Sequence, residues 1–91
     1  MLPEVGSPVD DIGRLPPGRV KVGTKQTAKT VEQGNARMVY VAQDADSRLV
    51  GRILQLCKQR GVPVTFVDTM RNLGKSCGID VGTAAAAVAE E

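Results

Sequence analysis

Two rhythms of apolar residues run along this chain, one of period two or unbroken over four to six residues, the other of period three to four. Arg19-Val20-Lys21-Val22 alternates polar and apolar, as a half-buried strand does. Met38-Val39-Tyr40-Val41-Ala42 is an unbroken apolar run opened by Arg37 and closed by Gln43-Asp44, which suits a strand covered on both faces. Val64-Thr65-Phe66-Val67, between Pro63 and Asp68, reads as a third strand. Ala84 to Ala89 is read as a fourth, against the helical preference of alanine, because the alternation of elements asks for a strand there.

Helical signals lie between these runs. Thr24 follows Gly23 as the expected N-cap of a helix of about ten residues that includes Ala28 and Val31 and closes at Gly34. Asp46 or Ser47 caps a second, with Leu49, Val50, Ile53, Leu54, Leu56 and Cys57 on its apolar stripe and Gly61 at its end. Asp68 or Thr69 caps a short third through Met70 and Leu73, ending at Gly74 or Gly78. The order β-α-β-α-β-α-β predicts an α/β fold, a three-layer α/β/α sandwich around a small four-stranded mixed sheet.

Residues 1–18 hold four of the five prolines, so a long helix is not expected there. We read residues 1–18 as a proline-rich tail, with one short helical turn near Val9 to Leu15, and residues 19–91 as a single domain. With 91 residues, 42% of them hydrophobic and 24% charged, the chain has room for one core and no second.

Composition narrows the chemistry. There is no His, which removes the usual general base near neutral pH and the commonest nucleophile and zinc arrangements. No enzyme activity, metal or cofactor is expected. Cys57 and Cys77 stand twenty positions apart, and no signal peptide or membrane-spanning run is seen, which fits a reduced, cytoplasmic protein. Tyr40 and Phe66 are the only aromatic residues, too few for an RNA-stacking platform on a sheet face. The net charge of +2 is nearly even, yet the stretch Arg14 to Arg37 carries six basic residues and one acid, a local net of +5.

Two segments carry candidate chemistry. Gly23-Thr24-Lys25-Gln26-Thr27-Ala28-Lys29 sits at a strand-to-helix turn, where free N–H groups and the helix dipole favour a phosphate. Lys25 and Gln26, in the first turn, have the donors and acceptors that read guanine edges, and Lys29 shares a face with Lys25. The alternative is an ordinary solvated helix. There is no P-loop and no Gly-x-Gly-x-x-Gly. The second segment, Leu73 to Gly82, has three glycines and places Ile79 and Val81 in a loop, where they either cover an extruded base or a protein partner, or tuck into the core edge. Cys77 reads as an inert thiol, and Asp44, Asp46, Asp68 and Asp80 read as caps and turns.

These residues resemble a known family. The Gly23–Lys29 segment, Gly34-Asn35-Ala36, Val39 to Asp46, Val62-Pro63-Val64 and Leu73 to Ile79 are similar, in order, to the kink-turn RNA-binding ribosomal protein superfamily, the L-seven-Ae group, and to its small bacterial members. The resemblance covers about Arg19 to Glu90. It implies an α/β/α sandwich that binds a sharply bent internal RNA loop with tandem sheared G·A pairs, in ribosomal or regulatory RNA, as a monomer, with the ribosome as a further partner. In the family a Gly-x-Asn-Glu-x-x-Lys segment opens the recognition helix. Gly23 and Lys29 match it, while Lys25 stands for the usual Asn and Gln26 for the usual Glu, as in the small bacterial members. Thr24 joins Gly23 and Lys29 as a phosphate contact. The family's apolar loop matches Gly78-Ile79-Asp80-Val81, with Asp80 adding a negative charge close to the expected RNA. The helix that the family usually carries before its first strand is not expected here, so the sandwich should be thinner on that face. A protein-interaction domain using the Gly78–Val81 loop is the competing reading.

Overall fold

The computed structural model describes residues 15, 16 and 18–90. Apart from Leu15, Pro16 and Gly18, the expected tail and its helical turn lie outside the described residues. The elements follow the predicted order: β1 (Val20–Val22), α1 (Thr24–Glu32), β2 (Ala36–Ala42), α2 (Ser47–Arg60), β3 (Val64–Val67), α3 (Met70–Ser76) and β4 (Ala85–Ala89).

The sheet has the strand order β1-β4-β2-β3. It is mixed: β4 pairs antiparallel with both β1 and β2, and β2 pairs parallel with β3. The C-terminal ends of β1, β2 and β3 and the start of β4 therefore share one end of the sheet. Strand β2 begins at Ala36, two residues before the expected Met38, because the pairing Ala36 to Ala89 is joined to Met38–Val88 through an irregularity at Arg37.

Period-two alternation sends the strand side chains into two cores. Val39 and Val41 of β2 and Ala85 and Ala87 of β4 pack under Val31 of α1 and Val50, Ile53 and Cys57 of α2. On the opposite face, Ala42, Val67 and Ala86 pack with Leu73 of α3, flanked by Tyr40 and Met70. Among the described residues, two helices thus cover one face and the seven-residue α3 the other. Leu15 joins the α3 side: it is buried, and its N–H donates to the Ser76 carbonyl at 2.9 Å. Strand β4 begins at Ala85, one residue after the expected Ala84; all of Ala84 to Ala87 are buried, and Ala86 and Ala87 are paired on both sides, by β1 and β2, which overrides their helical propensity.

The helix ends show one difference from expectation. Thr24 is the first residue of α1, not its cap; the cap is Gly23, at φ 100°, with no side-chain hydrogen bond. The chain can turn from β1 straight into α1 there because glycine adopts positive φ without strain. Asp46 caps α2 by accepting the Arg48 N–H at 2.8 Å, and Thr69 caps α3 by accepting the Asn72 N–H at 3.0 Å. Helix α3 runs through Gly74 and is stopped by Gly78, at φ 80°.

Candidate nucleic-acid interface

The two candidate segments meet at the start of β4. The Ala85 carbonyl accepts two hydrogen bonds, from the Gly23 N–H at 2.9 Å and from the Thr83 hydroxyl at 2.9 Å. Gly23 opens the basic helix and Thr83 ends the apolar loop, so one oxygen ties both to the same end of the sheet. Thr83 is buried, and its own N–H donates to the Met70 carbonyl at 3.0 Å, which ties the loop to α3 as well.

At the helix side, Lys25, Gln26 and Lys29 are placed on α1, with Lys25 and Gln26 exposed and Gly23 and Thr24 half-buried. The Thr27 N–H closes the first turn onto the Gly23 carbonyl at 2.9 Å, which leaves the N–H groups of the residues before it outside the helical ladder. Thr27 and Val31 anchor the opposite side of α1 in the core, and that anchorage turns the lysines outward. No acid lies in the first turn of α1, so this end of the helix keeps its positive field.

The loop side is built on α3. After Ser76 the chain closes with paired hydrogen bonds, Gly78 N–H to the Lys75 carbonyl at 3.1 Å and Ile79 N–H to the Gly74 carbonyl at 3.0 Å, the Schellman pattern. Gly74 is buried, and a Cβ built on it would fall onto the Val81 carbonyl oxygen and lie 3.0 Å from the Val81 carbonyl carbon. The loop backbone therefore rests directly on the helix, and that support holds Val81 out with 70% of its surface exposed. Ile79 is half-buried and Asp80 exposed, so the apolar pair divides: Val81 faces solvent and Ile79 partly tucks in.

Two aspartates that the sequence marks as caps and turns hold the site together through partners the sequence does not show. Asp44, at the end of β2, accepts the Met70 N–H at 2.7 Å and so fixes the start of α3 from a different element. Asp68 accepts from the Asn72 amide at 2.9 Å. These contacts agree with the reading of the aspartates as caps and turns. Burial pushes the thiols of both Cys57 and Cys77 up, away from the thiolate. Among the described residues no group of His, Cys, Asp and Glu is arranged to hold a metal, and no helix is long and apolar enough to cross a membrane.

The family model for the ribosomal protein L7Ae/L30e/S12e/Gadd45 family matches residues 14–91. The chain belongs to this family. It is similar to a protein of Geobacillus sp. (strain WCH70) named as an RNA-binding protein, with 46% identity over 74 residues, covering 81% of this chain and 90% of that one. It also resembles the large ribosomal subunit protein eL8 of Halobacterium salinarum, at 44% identity over 72 residues, 78% of this chain and 60% of that one. Among solved structures, the Giardia lamblia 15.5kD RNA binding protein superposes with a TM-score of 0.75 at 31% identity, covering 80% of this chain and 62% of that one. The α/β fold of this family is the fold derived above, with its four-stranded mixed sheet and helices on both faces.

Proposed function

We propose that this chain is a non-enzymatic RNA-binding protein that recognises kink-turns in ribosomal or regulatory RNA. The observation that carries the reading is the double hydrogen bond to the Ala85 carbonyl, which fastens an exposed basic helix start and a loop with an exposed Val81 to one end of the sheet. A bent RNA loop is read by shape, phosphate contacts and a few base edges, which calls for a basic helix end and an apolar cover and needs no aromatic platform. The names of the relatives, two RNA-binding proteins and a ribosomal protein, support the RNA-binding part of this reading.

In this assignment Lys25 and Gln26 meet guanine edges, and Gly23, Thr24 and Lys29 hold phosphate. Ile79 and Val81 cover the extruded base, carried by the Gly78 turn and flanked by Asp80. Residues 19–91 form the binding domain and residues 1–18 a tail. The protein acts as a monomer in the cytoplasm, with the ribosome as a further partner.

A gel-shift titration of a kink-turn RNA and a variant straightened at its G·A pairs tests this. Lys29→Ala weakens all RNAs alike and lowers the log–log salt slope by about 0.7 to 0.9, the share of a single phosphate. Lys25→Ala reduces discrimination between the kinked and straightened RNAs. Wild-type affinity in both variants would show the site to be elsewhere. A protein partner retained on the column after RNase treatment, and released by Val81→Ser, would favour the interaction-domain reading, for which the exposure of Val81 is the supporting observation.

A further inference from the structure

A shallow groove lies beside the apolar loop, lined by Arg71, Asn72 and Lys75 of α3 together with Ile79 and Asp80. The sequence alone does not mark it, yet it shares Ile79 and Asp80 with the proposed RNA site. Arg71 and Lys75 are exposed and four residues apart, so they sit one above the other on the outer face of α3, about 5–6 Å apart at Cβ. The ion pairs Arg48–Asp46 and Arg52–Glu32 lie elsewhere, on and beside α2, and neither reaches this groove. Among the lining residues Asp80 is the one carboxylate, against two cations.

Resting on the RNA-binding reading above, we infer that this groove carries the phosphodiester backbone of the strand leaving the bend, with Arg71 and Lys75 each meeting one of two successive phosphates. The chemistry fits the lining. Long cationic side chains one helical turn apart match a repeating anion, and Ile79 at the rim joins the groove to the loop where a base is covered. A backbone contact carries no sequence information, so the groove contributes to affinity and orientation. The Val81 carbonyl rests directly on Gly74, so the loop that forms one wall of the groove is packed against α3.

The test uses the full chain and three RNAs: a kink-turn with both helical arms, the same kink with the arm beyond the bend cut back to the G·A pairs, and the two-armed RNA straightened at those pairs. Arg71→Gln with Lys75→Gln lowers the log–log salt slope on the two-armed RNA by about 1.4 to 1.8, two phosphates at 0.7 to 0.9 each, and leaves the slope on the shortened RNA within error of wild type. Arg37→Gln with Arg60→Gln makes the same change in net charge at the opposite end of the sheet, where both line a separate groove, and leaves the slope unchanged. Arg71→Lys with Lys75→Arg restores the wild-type slope. Wild-type slope in the double Gln variant, or an equal fall in the Arg37 and Arg60 variant, overturns the groove assignment while the kink-turn reading stands. A wild-type protein that fails to distinguish the kinked from the straightened RNA overturns both.

Discussion

The same substitution at two glycines of this chain should have opposite effects. Alanine in place of glycine inside a helix ordinarily stabilises by about 0.5–1 kcal/mol, through lower entropy of the unfolded chain. Gly51, in α2, is exposed and has nothing within 4 Å of a built Cβ, so Gly51→Ala should show that gain. Gly74, in α3, is buried beneath the 78–82 loop, and its added Cβ would overlap the Val81 carbonyl oxygen and approach the Gly82 Cα to 3.1 Å. Both neighbours are backbone, so neither can rotate away as a side chain would.

Relief requires the loop to lift, which breaks the Ile79 N–H bond to the Gly74 carbonyl and strains the Thr83 N–H bond to the Met70 carbonyl. Overpacking of this kind costs about 1–3 kcal/mol. Against the intrinsic gain, Gly74→Ala is left with a central net loss of about 1 kcal/mol, equivalent in a domain of this size to a fall in Tm of roughly 4–8 °C. Calorimetric melts of the two variants beside wild type check this. A Tm for Gly74→Ala equal to or above wild type would refute the argument, since it would mean that the loop yields freely and the glycine is only a poor helix former.

Three other variants probe single contacts. Thr27 Oγ1 is buried and has no hydrogen-bond partner among the described residues, so Thr27→Val should raise stability by about 1 kcal/mol in urea titration; a decrease would mean that the hydroxyl is satisfied. Asp44→Ala removes the acceptor of the Met70 N–H and should cost about 1 kcal/mol, with faster amide exchange at the start of α3 than in α2; uniform exchange would argue against a local role. The Arg48 side chain, and then its backbone N–H, hold the Asp46 carboxyl below its usual 3.8. With the folded value depressed, this contribution is complete above 3.8 and is lost as pH falls below it. Asp46→Asn should therefore flatten the acid limb of the urea midpoint against pH, and an unchanged limb would assign that limb to other carboxylates.

The elements are legible in the sequence wherever a local pattern decides them. Alternation marks β1, an unbroken apolar run marks β2, and the stripe from Val50 to Cys57 with Asp46 before it and Gly61 after it marks α2. Strand β4 can be read only from the order of elements, since alanine alone argues for helix and only the neighbours on both sides make it a strand. The cap of α1 falls one residue before its expected place because a threonine beside a glycine looks like a side-chain cap, whereas the backbone turns at Gly23. In the candidate site, charges and apolar residues are visible, but their supports are not. Asp44 to Met70, Thr83 to Ala85 and Val81 on Gly74 each join residues whose proximity arises only once the sheet has formed. Arg71 draws no notice in the sequence, and Lys75 only as part of the Leu73–Gly82 segment, for the same reason: the groove that brings them together is a tertiary feature.

The strand order also sets a timetable for synthesis. Strand β4 lies second in the sheet and is made last of the described elements, and among the described strands it is the sole partner of β1. As the chain leaves the ribosome, β2 and β3 can pair while β1 waits, and the sheet stays split until residues 85–89 emerge. The Ala85 carbonyl that fastens Gly23 and Thr83 arrives in that same final segment, so the basic helix start cannot be fixed against the apolar loop at any earlier moment. The proposed RNA-binding surface is thus completed only when β4 joins the sheet.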